Sequence, residues 1–281
     1  MYGELSWYTY DMFSEIIFRL FAGDYVGALL HFSFLILLFV GIVYLKRWKR
    51  FAAAPFEVKY FSVMIPVFLV VLAHAIVSAG SLGVGLLLVF GVLGMVMETI
   101  LSWIWTLFFK GRVYYYTSDT LAHAYTSWLN FIPWCLGGWM FVSVYRLFSN
   151  VVPEQAIFYI ALSTIFLLGL TVVMRQLTLN RRRNFSPTVY VSILLCFLFP
   201  FSVSVVVFGI SMLWLVLALT IFGVVFEYLF GKTIRWLFGR QLWVYQFYPL
   251  DEGFSSILNI VPWGIVGICF IAVSIVLRYL W

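Results

Sequence analysis

Apolar positions in this chain come in long uninterrupted blocks, without the strict alternation of half-buried strands or the polar faces of soluble helices. Blocks near 27–45, 61–79, 82–107, 131–149, 156–174, 189–208, 210–231 and 260–280 run close to 20 residues or more. At ~1.5 Å per residue, that is the length needed to cross ~30 Å of hydrocarbon as a helix. The pattern therefore predicts an all-α, polytopic membrane protein with about eight transmembrane helices. The short alternating segments of a membrane barrel are absent from the sequence. Ahead of the first block, Phe13, Ile16, Ile17, Leu20 and Phe21 fall at helical spacing. Residues 1–26 are accordingly expected to form an interfacial amphipathic segment.

The polar residues that interrupt the blocks are not scattered. "NFIPW" at 130–134 returns as "NIVPW" at 259–263, 129 positions later, and the same ungapped shift lays four blocks over the other four. It matches Gly94 with Gly223, Glu98 with Glu227, Tyr116 with Tyr245, Ser127 with Ser256, Asn130 with Asn259, Pro133 with Pro262 and Trp134 with Trp263, and sets Tyr114 against Trp243. Hydrophobicity alone would not align Glu, Asn, Pro and Trp. The expected organisation is two four-helix repeats, 27–150 and 151–281, parallel because an even number of crossings returns the chain to its starting side.

Composition agrees with the membrane reading: 64% of the 281 residues are hydrophobic and 10% charged, against roughly half and a quarter in soluble domains. The net charge of +6 calls for no nucleic-acid partner, since the basic residues follow the positive-inside rule. "LKRWKR" at 45–50, Lys110 and Arg112, the "RRR" of 181–183, and Lys232, Arg235 and Arg240 all fall on one side of an eight-span chain. That side is expected to be cytoplasmic in a cell membrane, with both termini outside. Cys135, Cys196 and Cys269 sit in apolar blocks without close spacing. Neither a disulfide framework nor a zinc site is indicated, and no cofactor or metal is expected.

Chemistry must then be sought at polar residues inside the blocks. Glu98 and Glu227 are the leading candidates, because an ionisable side chain in a span costs a few kcal/mol and faces a bundle interior or a partner. Glu227 lies five residues before Lys232, a depth in the cytoplasmic leaflet. One reading pairs each Glu with a basic residue of its own repeat as a helix lock. The other places the two carboxyls as catalytic acids in a shared cleft lined by Tyr114, Tyr115, Tyr116, Trp134, Trp243, Tyr245 and Trp263. There a carboxylic acid could protonate an alkene, with aromatic faces stabilising the cation. Trp and Tyr are also ordinary interfacial anchors.

Asn130 and Asn259 stand three residues before Pro133 and Pro262. An Asn can cap exposed helix amides and Pro suits the first turn, so blocks four and eight are expected to begin here; both asparagines are also candidate substrate-binding residues of the cleft. The stretches between each Glu and this element are the expected lids, with Asp119, His123, Asp251 and Glu252 as their titratable residues.

A Glu in a span, then "GRVYYYT" or "GRQLWVY", then Pro with Trp behind it, resembles integral-membrane carotenoid-biosynthesis proteins: fused c/d-type lycopene cyclases and the carotenoid hydratases. The resemblance implies tandem helical repeats and acid-initiated hydration or cyclisation at an isoprenoid double bond. Those cyclases carry acidic residues after the proline, where this chain has Trp134 and Trp263. The second copy, "FEYLFGKTIRWLFGRQLWVYQFYP" followed by "VPWGIVG", is also similar to a family of ABC-transporter membrane components.

Two function classes follow. The chain is either an enzyme acting on an isoprenoid, carotenoid or other lipid, or a non-catalytic membrane subunit or transporter component with duplicated structural glutamates. The partners expected are membrane lipids, a polyisoprenoid substrate in the first case, and a membrane-protein partner or second copy of the chain in the other.

Overall fold

The computed structural model describes residues 51, 53–108, 112–117, 120–121, 125–177 and 187–280. The leader, the block at 27–45 and the basic runs at 45–50 and 181–183 lie outside the described residues.

The first helix, α1, runs Phe56–Phe108 and covers two expected spans without a loop. Straight, its 53 residues would reach about 80 Å, far more than the ~30 Å of a bilayer core. It is not straight. Gly80 breaks it with φ 58° and ψ −139°, a backbone region open to glycine. Beyond the break the chain turns so sharply that a β-carbon on Gly83 would strike the backbone of Ala75. Two separate spans at 61–79 and 82–107 are thus replaced by one run with a glycine corner. Across the described residues there are six helices where seven of the eight expected blocks fall.

After α1 come three short strands, β1 (Tyr114–Tyr116), β2 (Thr120–Leu121) and β3 (Thr126–Ser127), none of them foreseen from the hydropathy pattern. The Ser127 hydroxyl then accepts from Leu129 N at 3.2 Å and caps a 3₁₀ turn at Trp128–Asn130, which feeds α2 (Phe131–Phe148). Next are α3 (Glu154–Leu177), α4 (Pro187–Phe208) and α5 (Ser211–Phe238). Gly209, at φ 96°, makes the corner between α4 and α5, 129 positions after Gly80. Gly239 closes α5 in the left-handed conformation, its N–H bonded to the Arg235 carbonyl. Strands β4 (Trp243–Tyr245), β5 (Pro249–Leu250) and β6 (Ser255–Ser256) follow, then a 3₁₀ turn at Ile257–Asn259 capped by Ser256, and finally α6 (Ile260–Leu280).

Helices α2 and α6 form the centre and are the most buried of the long helices. They meet through an aromatic cluster. Phe141 stacks on Phe270 with ring centroids 6.0 Å apart, Trp134 lies 5.6 Å from Trp263, and Trp134 and Phe270 stack at 5.8 Å. Gly138 and Gly267 allow this approach, since a β-carbon at the first would overlap Phe90 and Phe270 and at the second would crowd Phe141 and Leu219. The outward faces are apolar, with Val77, Leu162, Phe166 and Val206 among the most exposed side chains. Five helices are long and apolar enough to cross a membrane. A continuous apolar exterior of this kind is tolerated in lipid and not in water. The chain is a membrane protein, mostly helical.

Candidate functional site

Glu98 sits in the last third of α1 and Glu227 in the second half of α5. Each carboxyl is met by four side chains from the strands and the following helix. Glu98 accepts from the Tyr116 hydroxyl, from the Thr126 hydroxyl at 2.5 Å, from the Asn130 amide at 3.0 and 3.1 Å on its two oxygens, and from the Trp134 indole N–H at 3.3 Å. Glu227 accepts from the Tyr245 hydroxyl, the Ser255 hydroxyl at 2.5 Å, the Asn259 amide at 3.3 and 3.4 Å, and Trp263 N–H at 3.2 Å. Each partner of Glu227 stands 129 positions beyond its counterpart at Glu98.

These partners are all neutral. Among the described residues no cation pairs with either carboxyl, and no helix lock between Glu and a basic residue is seen among them. Lys232 instead pairs with Asp251 at 2.8 Å, and Arg235 with Glu252, pinning the β4–β6 segment against α5. That segment is strapped further by Tyr245 N–H to the Gly253 carbonyl at 3.0 Å and Trp243 indole N–H to the Phe254 carbonyl at 3.0 Å. It is a fixed cover, with Asp251 and Glu252 held in ion pairs. Asp119 and His123 lie outside the described residues.

The asparagines do not cap as expected. Asn130 makes no side-chain cap bond. Its amide is spent on Glu98 and on the Tyr116 oxygen, while Asn259 does the same for Glu227 and Tyr245. Capping falls to Ser127 and Ser256. Thr126 and Ser255, which bind the carboxyls directly, went unnoticed in the sequence; their own 129-residue spacing and shared hydroxyl chemistry are the signal that would have found them.

Strands β1 and β4 pair antiparallel, Tyr114 with Tyr245, Tyr115 with Val244 and Tyr116 with Trp243. The ribbon draws the two carboxyl sites together. Burial is the main cause, with the nearby Glu98 and Glu227 charges adding to it, that holds the phenols of Tyr114, Tyr116 and Tyr245 well above their ordinary value of 10. Tyr114 points its hydroxyl at Ser102 instead of a carboxyl, and its ring lies 5.2 Å from that of Tyr245.

Glu98 and Glu227 both line two small adjoining cavities of about 40 and 50 Å³. Tyr114, Trp134, Tyr245 and Trp263 border both, Tyr116, Trp243 and Asn130 only the first, and Asn259 only the second. Ten of the residues singled out in the sequence thus come together around one site, while Tyr115, also expected in the cleft wall, is exposed and borders neither cavity. Either cavity has room for a water or two, and neither holds an isoprenoid ring. Near Glu98 on α1, Trp103 is exposed and Trp105 is buried in the core.

No family model, no curated protein and no solved structure matches this chain. The likeness to carotenoid-biosynthesis proteins rests on the quoted residues alone.

Proposed function

We propose that the protein is an integral-membrane enzyme acting on an isoprenoid or other lipid-dissolved alkene by acid-initiated hydration or cyclisation. Its frame in this reading is two parallel four-helix repeats, 27–150 and 151–281, in the cell membrane, with basic loops cytoplasmic and both termini outside. The carrying observation is that Glu98 and Glu227, paired with no cation among the described residues, share the same two aromatic-walled cavities, which must widen to take an alkene.

In this mechanism the O–H of one carboxylic acid breaks as its proton bonds to an alkene carbon, using the π pair. The cation left on the neighbouring carbon faces Trp134 and Trp263, whose rings stabilise it. Water attack followed by proton return to the carboxylate gives hydration; attack by a second double bond followed by proton loss gives cyclisation. The hydroxyl, amide and indole donors hold the carboxylate once its proton has gone.

Organic extraction of the purified protein with mass spectrometry tests this, comparing wild type with Glu98→Gln and Glu227→Gln at equal folded yield. A defined isoprenoid product in wild type and its unprotonated precursor in a Gln variant is the expected result; bulk phospholipid alone in all three overturns it. A second reading, a non-catalytic membrane subunit, draws on the fact that every donor to a carboxyl comes from the same proposed repeat, as in a structural knot. It predicts that the Gln variants lose folding or a co-purifying partner.

A further inference from the structure

On one flank of the carboxyl pair an apolar groove of about 640 Å³ runs between α1, α3 and α6, a size typical of ligand sites. Its wall is apolar, and the side chains in it that carry a heteroatom are Met97, Trp103, Thr164 and Cys269. Thr164 lies in the wall but is 1% exposed, its hydroxyl covered by protein. Gly169, one turn further along α3, leaves open space where a side chain would stand. The groove and the 50 Å³ cavity share Met97, Leu101, Pro262 and Val266 as a common wall. One layer of side chains thus separates the groove from Glu98 and Glu227.

The opposite flank differs. The positions 129 residues from Met97 and Leu101 are Phe226 and Phe230, which line the 40 Å³ cavity. Phe222, Phe226, Phe230 and Trp243 stack in a continuous column, with centroid spacings of 6.3, 5.8 and 5.9 Å. A stacked aromatic column is stiff, whereas Met and Leu change rotamer readily.

Resting on the catalytic reading above, we infer that the groove is the loading channel of the carboxyl site. A single isoprenoid-type chain lies in it with one end passing between Met97 and Leu101 toward the carboxyls, and no chain is admitted from the Phe226 flank.

The probe is a long-chain prenyl alcohol carrying a diazirine at its hydrocarbon end, photolysed with the full-length protein in phosphatidylcholine vesicles and mapped by peptide mass spectrometry. Wild type should carry adducts on groove residues such as Ile165 and on cavity residues such as Trp134 and Trp263. Met97→Phe/Leu101→Phe, which copies the closed flank, should lower cavity adducts at least ten-fold and leave groove adducts in place; Leu101→Phe alone serves if the double variant unfolds. Cavity adducts that persist in the Phe variants, or that vanish only when Phe226 is changed, overturn the channel and leave the catalytic reading standing. A labelled groove with no cavity adducts in wild type or in Phe226→Met/Phe230→Leu overturns both.

Discussion

Tyr115 faces Val244 at the middle of the β1–β4 ribbon, and the pairs on either side, Tyr114 with Tyr245 and Tyr116 with Trp243, exchange places under a half-turn about that point. Thr117 N–H to the Leu242 carbonyl at 3.0 Å and Gln246 N–H to the Val113 carbonyl at 2.8 Å extend it at both ends. The ribbon's two strands come from stretches that are far apart in the chain and each bring one tyrosine to its own carboxyl. Residues directly opposite in an antiparallel pair lie within disulfide reach. Tyr115→Cys/Val244→Cys should therefore give an intramolecular crosslink on mild oxidation, read as a joined peptide by mass spectrometry; its absence would contradict the pairing.

Removing a carboxyl strands its donors. Glu227→Ala leaves the Tyr245, Ser255, Asn259 and Trp263 donors facing an apolar void, each unsatisfied buried group costing roughly 1–3 kcal/mol. A net loss of about 3 kcal/mol or more is expected. Glu227→Gln keeps one carbonyl acceptor and should lose about half as much. Thermal unfolding in detergent orders the three proteins.

Gly94 and Gly223 face the indoles of Trp134 and Trp263, and a β-carbon at either would overlap the ring. Gly223→Ala should push Trp263 away from Glu227 and cost about 1–3 kcal/mol by overpacking. Pairing it with Trp263→Phe, which gives up the indole and its bond, should recover part of that loss.

The phenols of Tyr116 and Tyr245 are held above their ordinary pKa. A group raised in the folded state adds stability that is complete below its unfolded pKa and is lost as pH climbs from about 10 toward the folded value. Stability should therefore fall with alkaline pH, and less steeply in Tyr116→Phe/Tyr245→Phe. In the folded protein the 295 nm absorbance assigned to these two, by difference from that variant, should stay flat through pH 10 and rise with unfolding.

Much of the molecule was legible because polar residues are rare in it. The hydropathy blocks placed the starts of α2 and α6 at Phe131 and Ile260, and the 129-residue register brought Glu98, Tyr116, Asn130 and Trp134 to notice before any geometry was known. Two kinds of information were not there to read. Hydroxyls carry little weight in a pattern of hydrophobicity, so Thr126 and Ser255 passed unseen. The asparagines were assigned by a local habit, helix capping, while their actual partner lies 32 residues back in the chain; long-range hydrogen bonds leave no local trace. The joined run of α1 escaped because a glycine corner needs no polar loop.

That corner bears on how the protein is made. Between the arms that meet at Gly80 the sequence reads "SAGSLGVG", and around Gly209 it reads "VFGISML", with no Asp, Glu, Lys or Arg in either. A connection with no charge to drag through hydrocarbon removes the largest penalty to moving a turn across the bilayer. Each pair of arms can leave the insertion machinery as one folded unit.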